Sequence, residues 1–394
     1  MVSEWCECKL GDVVTLKRGY DLPSHERRPG PYPVVSSSGI TDHHDETRVR
    51  GPGVVTGRFG TLGQVFFLKD DFWPLNTSLY VQDFKGNLPR FVAYLLAQLG
   101  LGSQNAAAAV PGVNRNHLHA LRVRVPPLRL QERIAGILSA HDDLIENNLR
   151  RIRILEEMAR ALYREWFVDL RFPGHAAVPR VDSPLGRIPQ GWDGTMGDSA
   201  TMARMNVMPS DFPDEEFDHF SIPAFDETRL PAIETGATIL SGKHVVDSSC
   251  TLLSKLNPRI PRVWLPYPSG VRRAIASTEF IVLRPLRRIS REFLFLRCCS
   301  ADFVGRFAGH ALGTSTSHQR VKPDDLLSMP TIIPSEEVMH EFTGRIAPML
   351  DLAQSLRTRN LTLRRTRDLL LPRLLSGQLA PPMARSKSPS DRRV

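Results

Sequence analysis

LHALRVRVP, residues 118–126, returns 208 positions later as LLSMPTIIP, residues 326–334, and each copy leads directly into a long helical pattern, from Leu128 and from Ser335. Ser78-Leu79-Tyr80-Val81 likewise returns as Thr278-Glu279-Phe280-Ile281-Val282. The period is far too long for a solenoid, so the chain is a tandem pair of β-rich modules, each with its own helix. Leu10-Gly11-Asp12 matches Met196-Gly197-Asp198 at an offset of only 186, so the second copy carries about 22 extra residues, most of them before Thr278. A constant scaffold with differing loops points to the loops as the place where specificity is set.

The helices give the strongest periodic signal. Ile134, Leu138, His141, Ile145, Asn148, Ile152, Leu155, Ala159, Leu162 and Trp166 recur in steps of four and three. So do Phe342, Ile346, Met349, Ala353, Leu356, Asn360, Leu363, Arg367, Leu370 and Leu374. Both are coiled-coil seams, and each carries one asparagine, the residue type that costs stability at a seam but fixes register and partner. The two seams could pair with each other or each with another protein; because they are tethered in one chain the first is the cheaper arrangement, and antiparallel pairing would carry the modules to opposite ends with pseudo-two-fold symmetry. A helix from Leu128 to Leu170 would be about 65 Å long at 1.5 Å per residue. Pro348 predicts a kink near Ile346. The fold class is therefore α+β.

Between the helices, short β-type runs are punctuated by glycine: residues 53–57, 64–68 and 78–81 in the first module, 262–265 and 279–283 in the second. Module helices are predicted at 89–99 and 290–299, with Pro89 in a first-turn position. The proline-rich stretch 173–190 reads as a linker, and the Pro/Ser/Arg-rich tail 380–394 as disordered.

The net charge is +9 with a pI near 9.6, and of 51 basic residues only eight are lysine. A GC-rich coding bias explains the arginine excess as readily as selection for guanidinium does, but it does not explain the net charge. A polyanionic partner does. The five cysteines form no CxxC pair, which fits a reducing compartment. No apolar run is long enough to span a bilayer, and a cytoplasmic location with no membrane partner is expected.

No catalytic constellation emerges. There is no GxxxxGK[ST] phosphate loop, and Asn257-Pro258-Arg259 lacks the further proline of an amino-methyltransferase motif. His43-His44-Asp45, His117-x-His119 and the acidic run 211–218 fit solvated loops better than metal sites, so no cofactor and no metal are expected. The polar loops are better binding elements. The turn GRFGTLG (57–63) presents Arg58 and Thr61 to a phosphate, or is a plain hairpin turn. Loop 254–262 groups Lys255, Asn257, Arg259 and Arg262, and Asn and Arg are the side chains that read adenine and guanine edges. Thr316, His318 and Arg320 precede the second helix, and Ser103, Asn114 and Arg115 hold the matching place before the first.

Taken together, GRFGTLGQVFFLKDDFWPLNTSLYV (57–81), PPLRLQERIAGIL (126–138), EEMARALYREWFVDLRFPG (156–174), SKLNPRIPRVW (254–264), ASTEFIVLRP (276–285) and LRRTRDLLLPRLLSGQL (363–379) resemble the specificity subunits of Type I restriction-modification systems over nearly the whole chain. The resemblance implies two α/β target recognition domains, residues 1–127 and 191–334, each followed by a long helix, 128–172 and 335–379. It implies that each domain reads one half of a split target in double-stranded DNA, that the helices set the gap, and that the subunit has no activity of its own. Methyl transfer would come from modification subunits, expected to be two, and ATP-driven cleavage from restriction subunits. A nucleic-acid-binding scaffold outside restriction-modification is the alternative, though it predicts aromatic-interleaved basic stripes that are absent. A degenerate methyltransferase would need a cofactor-binding βαβ unit, and none is apparent.

Overall fold

The computed structural model describes residues 5–58, 63–100, 114–203, 205–286, 288–312 and 319–381. The chain forms two compact units, residues 1–145 with 362–394 and residues 146–361. Each unit therefore holds one β-rich module with a share of both long helices.

In the first unit a four-stranded antiparallel sheet runs in the order Thr15–Arg18, Ser78–Asp83, Gly53–Gly57, Val65–Leu68. A three-stranded sheet lies beside it in the order Gly39–His44, Tyr32–Ser36, Trp73–Pro74. Helix Pro89–Gln98 starts with proline at its first turn and buries Phe91, Val92, Leu95 and Leu96. A third pairing, Cys6–Lys9 with Arg122–Val125, closes the module just before the first long helix.

The second unit repeats this plan. Its four-stranded antiparallel sheet runs Ala200–Met202, Phe280–Pro285, Thr251–Ser254, Val263–Trp264, the same order of equivalent strands. Helix Arg291–Cys299 takes the place of Pro89–Gln98, capped by Ser290. The closing pair is Asp193–Thr195 with Pro330–Ile332. The extra residues appear as a five-stranded sheet, Asn206–Val207, Lys243–Val245, Arg273–Ala276, Glu216–Phe220, Ala232–Thr235. The acidic run 211–218 leads into that sheet, entering the strand Glu216–Phe220 at its last three residues, and Glu215 pairs with Arg273 at 3.0 Å and Glu216 with Arg272 at 2.9 Å. Residues 180–189, within the expected linker, form a hairpin of Arg180–Ser183 and Gly186–Pro189.

The long helices span Leu128–Phe167 and Glu336–Leu375, 40 residues each. Both stop short of the ends expected from the pattern, and for the same reason. Leu170 and Gly377 take left-handed φ values of 56° and 77°. Beyond them the Arg171 N–H reaches the Glu165 carbonyl at 2.8 Å, and the Leu379 N–H the Arg373 carbonyl at 3.0 Å. Each of these bonds spans six residues and satisfies a carbonyl that the last turn of the helix leaves without an intrahelical partner. The second helix runs uninterrupted through Pro348.

Within each unit the helices pack antiparallel. In the first, Ile134, Leu138, Leu374 and Leu375 share one core with the module, and Leu370 packs against it. Ile145 is buried and Leu363 half-buried. In the second, Ile152, Ala353 and Leu356 form a seam cluster that Leu155 flanks. Phe342 and Ile346 join Tyr163, Trp166 and Phe167 in the module core, with Leu162 packed against them. Phe342 meets Phe167 edge-on at 4.7 Å, and Phe167 meets Phe293 of the module helix at 4.9 Å. The two seam asparagines face each other, the Asn148 Nδ2 donating to Asn360 Oδ1 at 2.8 Å in a buried position.

Asn360→Leu should lower stability by about 1–3 kcal/mol in urea unfolding, because it strands the Asn148 amide in an apolar seam. Replacing both asparagines by leucine should restore most of that loss, and a double variant as weak as the single one would refute the pairing argument.

His119, on the short helix Arg115–Ala120, accepts the Leu16 N–H at 2.9 Å through its Nε2. Burial, and then the charges of Arg115 and Lys85, hold its pKa below the ordinary value. Below pH ~6.5 the unfolded chain takes up a proton that the folded imidazole resists, so this contribution is complete above that pH and is lost as the pH falls through the depressed folded value. Thermal unfolding of the chain should show a drop in melting temperature between pH 7 and 5 that is smaller in His119→Gln. An unchanged slope would remove His119 as its source.

Candidate nucleic-acid interface

In the first unit the segment 57–63 joins the adjacent strands Gly53–Gly57 and Val65–Leu68. The Arg58 N–H donates to Thr77 O at 2.9 Å, and its side chain is half-buried. Thr61 and Ser103 lie outside the described residues. Asn114 has a structural role: its side chain accepts the Asn116 N–H and starts helix Arg115–Ala120. Arg115, next in sequence, is exposed.

In the second unit the loop 255–262 joins Thr251–Ser254 to Val263–Trp264, the equivalent hairpin connection of the equivalent sheet. Two sequence-selected loops that share no residue pattern thus occupy one topological position. The loop is well braced. Ser254 Oγ accepts the Leu256 N–H at 3.2 Å, and the Ile260 N–H closes a turn on Asn257 O at 2.8 Å. Asn257 adopts a left-handed φ of 50°, a conformation asparagine tolerates better than most residues, and its N–H donates to Gln319 O at 2.9 Å. Its side-chain Oδ1 is left buried with no partner among the described residues.

That contact draws the segment before the second helix to the loop. The Val321 N–H donates to Lys255 O at 3.2 Å, and Arg320 grips Glu279 through two bonds of 3.0 Å. Lys255, Asn257 and Arg320 therefore come together. Thr316 and His318 lie outside the described residues. Arg262 is a brace rather than an exposed reader: it holds Asp226 through bonds of 2.7 and 2.9 Å with its side chain 13% exposed. Lys255 forms no ion pair among the described residues, and its charge helps, after burial, to depress the pKa of His244.

Arg259 is exposed on the outer side of the loop and lines a groove of about 480 Å³ together with Arg160 and Arg164 of the first long helix. The helical pattern marks those two arginines only as solvent-facing, because periodicity along one helix carries no information about which loop folds back over it. Unpaired cations position a nucleic-acid backbone, and an asparagine amide can pair with a base edge. Nothing in this arrangement resembles a nucleophile with its base. His44, from the weighed histidine pair, is buried; its Nδ1 accepts the Arg28 N–H at 3.0 Å and its ring stands edge-on to Trp73 at 5.3 Å.

Residues 2–157 match the family model of the Type I restriction modification DNA specificity domain. The MjaIX specificity subunit of Methanocaldococcus jannaschii is 23% identical over 297 residues, covering 70% of this chain and 64% of that relative. The EcoprrI specificity subunit of Escherichia coli is 26% identical over 157 residues, 38% of this chain and 39% of its own length. The chain thus spans less than two thirds of the curated relatives it matches. The fold is similar to the Type I restriction-modification S subunit from M. genitalium, with a TM-score of 0.64 at 15% identity over 97% of both chains. No helix among the described residues is long and apolar enough to cross a membrane. Residues 2–157 are thus similar to Type I restriction modification DNA specificity domains, and the tandem fold of the chain is similar to that of the S subunit from M. genitalium.

Proposed function

We propose that this chain is the DNA sequence-specificity subunit of a Type I restriction-modification complex. Each module, residues 1–127 and 191–334, reads one half of a bipartite duplex target, and the two long helices set the gap and dock two modification subunits. The observation that carries this reading is the repeat of one sheet order with a polar, cationic loop at the same connection each time. In the second module Lys255 and Arg259 meet phosphate and Asn257 reads a base, with Arg262 on Asp226 and Arg320 on Glu279 bracing the site. In the first, Arg58, Thr61, Ser103 and Arg115 serve as contacts. The two loops differ in sequence, so the half-sites differ too. Methyl transfer and ATP-driven cleavage belong to the modification and restriction subunits in this reading. The first long helix offers exposed apolar side chains for the former, Ile154 and Met158, each 48% exposed.

With modification subunits present, DNA binding should weaken steeply from low to moderate salt as counterion release is lost. Lys255→Ala combined with Arg259→Ala should weaken binding to all sequences alike and flatten the salt slope by about 1 per cation, whereas Asn257→Ala should change base preference in one half-site only. Salt-independent affinity would contradict the proposal.

Inserting four residues after Arg151 advances the seam by about one turn and lengthens the helix by about 6 Å. At about 3.4 Å per base pair, the gap in the methylated motif should grow by one or two base pairs with both half-sites unchanged. A two-residue insertion rotates the seam by about 200° and should abolish assembly. Sequencing of methylated DNA checks both, and full activity at an unchanged gap would mean the helices do not set the spacing.

A further inference from the structure

Each module meets the long helix that follows it through a contact built from the same three residue types. In the first unit Asp142, on the long helix, receives Arg90 at 3.3 Å and the hydroxyl of Tyr94, both from the module helix Pro89–Gln98. In the second, Asp351 receives the Tyr267 hydroxyl at 2.9 Å and faces Arg291, in the first turn of the module helix, at 3.8 Å. In both, the arginine stacks on that same tyrosine, at 5.7 Å in the first unit and 4.7 Å in the second. The tyrosines come from different elements, a helix in one case and a loop in the other, so the arrangement is not a simple consequence of the repeat.

Asp142 is also a junction. Its other oxygen takes Arg367 of the second long helix at 2.7 Å, so one carboxylate ties module, first helix and second helix together. In the second unit that wider junction falls to Glu156, which holds Arg357 of the second long helix and, at 3.1 Å, Arg229 of the module. The bland reading is that these are ordinary stabilising ion pairs. The surroundings of Asp142 argue for more. The apolar contact beneath helix Pro89–Gln98 is non-directional and tolerates small rotations. Charge-assisted hydrogen bonds are directional, so they choose one rotation among those the core allows. Beside Asp142 lies a cleft of about 500 Å³ lined by Phe67, Leu68, Tyr94 and Arg367. Close packing is therefore interrupted on that side, where Asp142 and the Lys69–Asp143 pair at 3.6 Å tie the module to the first long helix, and Asp142 reaches the second long helix as well. In the second unit Asp351 is 57% exposed and the Glu156 junction backs it, so there the device is partly redundant.

We propose that Asp142, with Arg90 and Tyr94, is a positioning residue that locks the first recognition module at one angle on its helix and thereby makes the gap between half-sites strict, and that Asp351 with Arg291 and Tyr267 is its weaker counterpart. This rests on the spacing role proposed above.

The test uses the complex assembled with modification subunits and a set of duplexes carrying the parent motif with the gap shortened by one base pair, native, or lengthened by one or two. Asp142→Asn should relax discrimination against the non-native gaps by about tenfold while leaving the half-site sequences unchanged. Asp142→Glu should recover part of the strictness, Tyr94→Phe should show a smaller relaxation should the Asn variant fail to fold, and Asp351→Asn should have the least effect. Methylation that falls equally at every gap would show that the carboxylate supports the fold alone and would overturn the inference. A parent complex with no preferred gap would overturn the spacing role itself, and this inference with it.

Discussion

Neither module closes its own core; the long helices supply the last layer. Ile134, Leu138 and Leu374 are fully buried among the strands and module helix of the first unit. Tyr163, Trp166, Phe167 and Phe342 do the same in the second. The seam that pairs the helices is thus also the floor on which each module is built. A residue on this seam answers to two packing demands at once, and its size follows them, from Ala159 and Ala353 to Trp166 and Phe342. Dense packing of this kind transmits displacement instead of absorbing it.

Polar groups enter this apolar framework at few places, and each placement has a directional consequence. The Asn148–Asn360 pair opposes any slide of one helix along the other, since a shift by one turn would leave two amides unpaired. Glu156 is only 13% exposed and is satisfied by Arg357 and Arg229 together. Burial pushes the Arg357 guanidinium below its ordinary pKa despite the carboxylate beside it. Removing one partner from such a cluster typically costs about 3–5 kcal/mol, because the other charge is left buried. These contacts add specificity of arrangement more than net stability.

The outward-facing loops obey a different rule. Loop 255–262 is braced by Arg262 on Asp226 and by the Asn257 N–H on Gln319 O, while Lys255 and Arg259 form no ion pair among the described residues. A rigid base with unpaired cations at its tip suits recognition of a charged, regular polymer, because little side-chain and loop ordering is left to be done on binding. In the function proposed above the helices would supply spacing and the loops identity, and the same hairpin connection joins equivalent strands of the two modules with different sequences.

Much of this was legible in the sequence. The offset repeat of LHALRVRVP and LLSMPTIIP identified a tandem architecture, and the heptad steps pointed to Ile134, Leu138, Asn148 and Asn360, which are buried, because helical periodicity is a local property of the chain, but not to the buried Tyr163 and Leu350. The hairpin at 53–57 and 65–68 was readable for the same reason. Helix ends were not, since they depend on a left-handed Leu170 and on Gly377 lying against Trp5, where an added Cβ would come within 3.2 Å of the indole. Nor did the sequence reveal which arginines are committed. Arg259 and Arg262 stand three residues apart in one loop, yet one is exposed and the other is locked onto Asp226, a partner 36 positions away. Charge and spacing along the chain decide which residues are able to bind; only the fold, by bringing distant carboxylates within reach of some guanidinium groups and not others, decides which are left to do so.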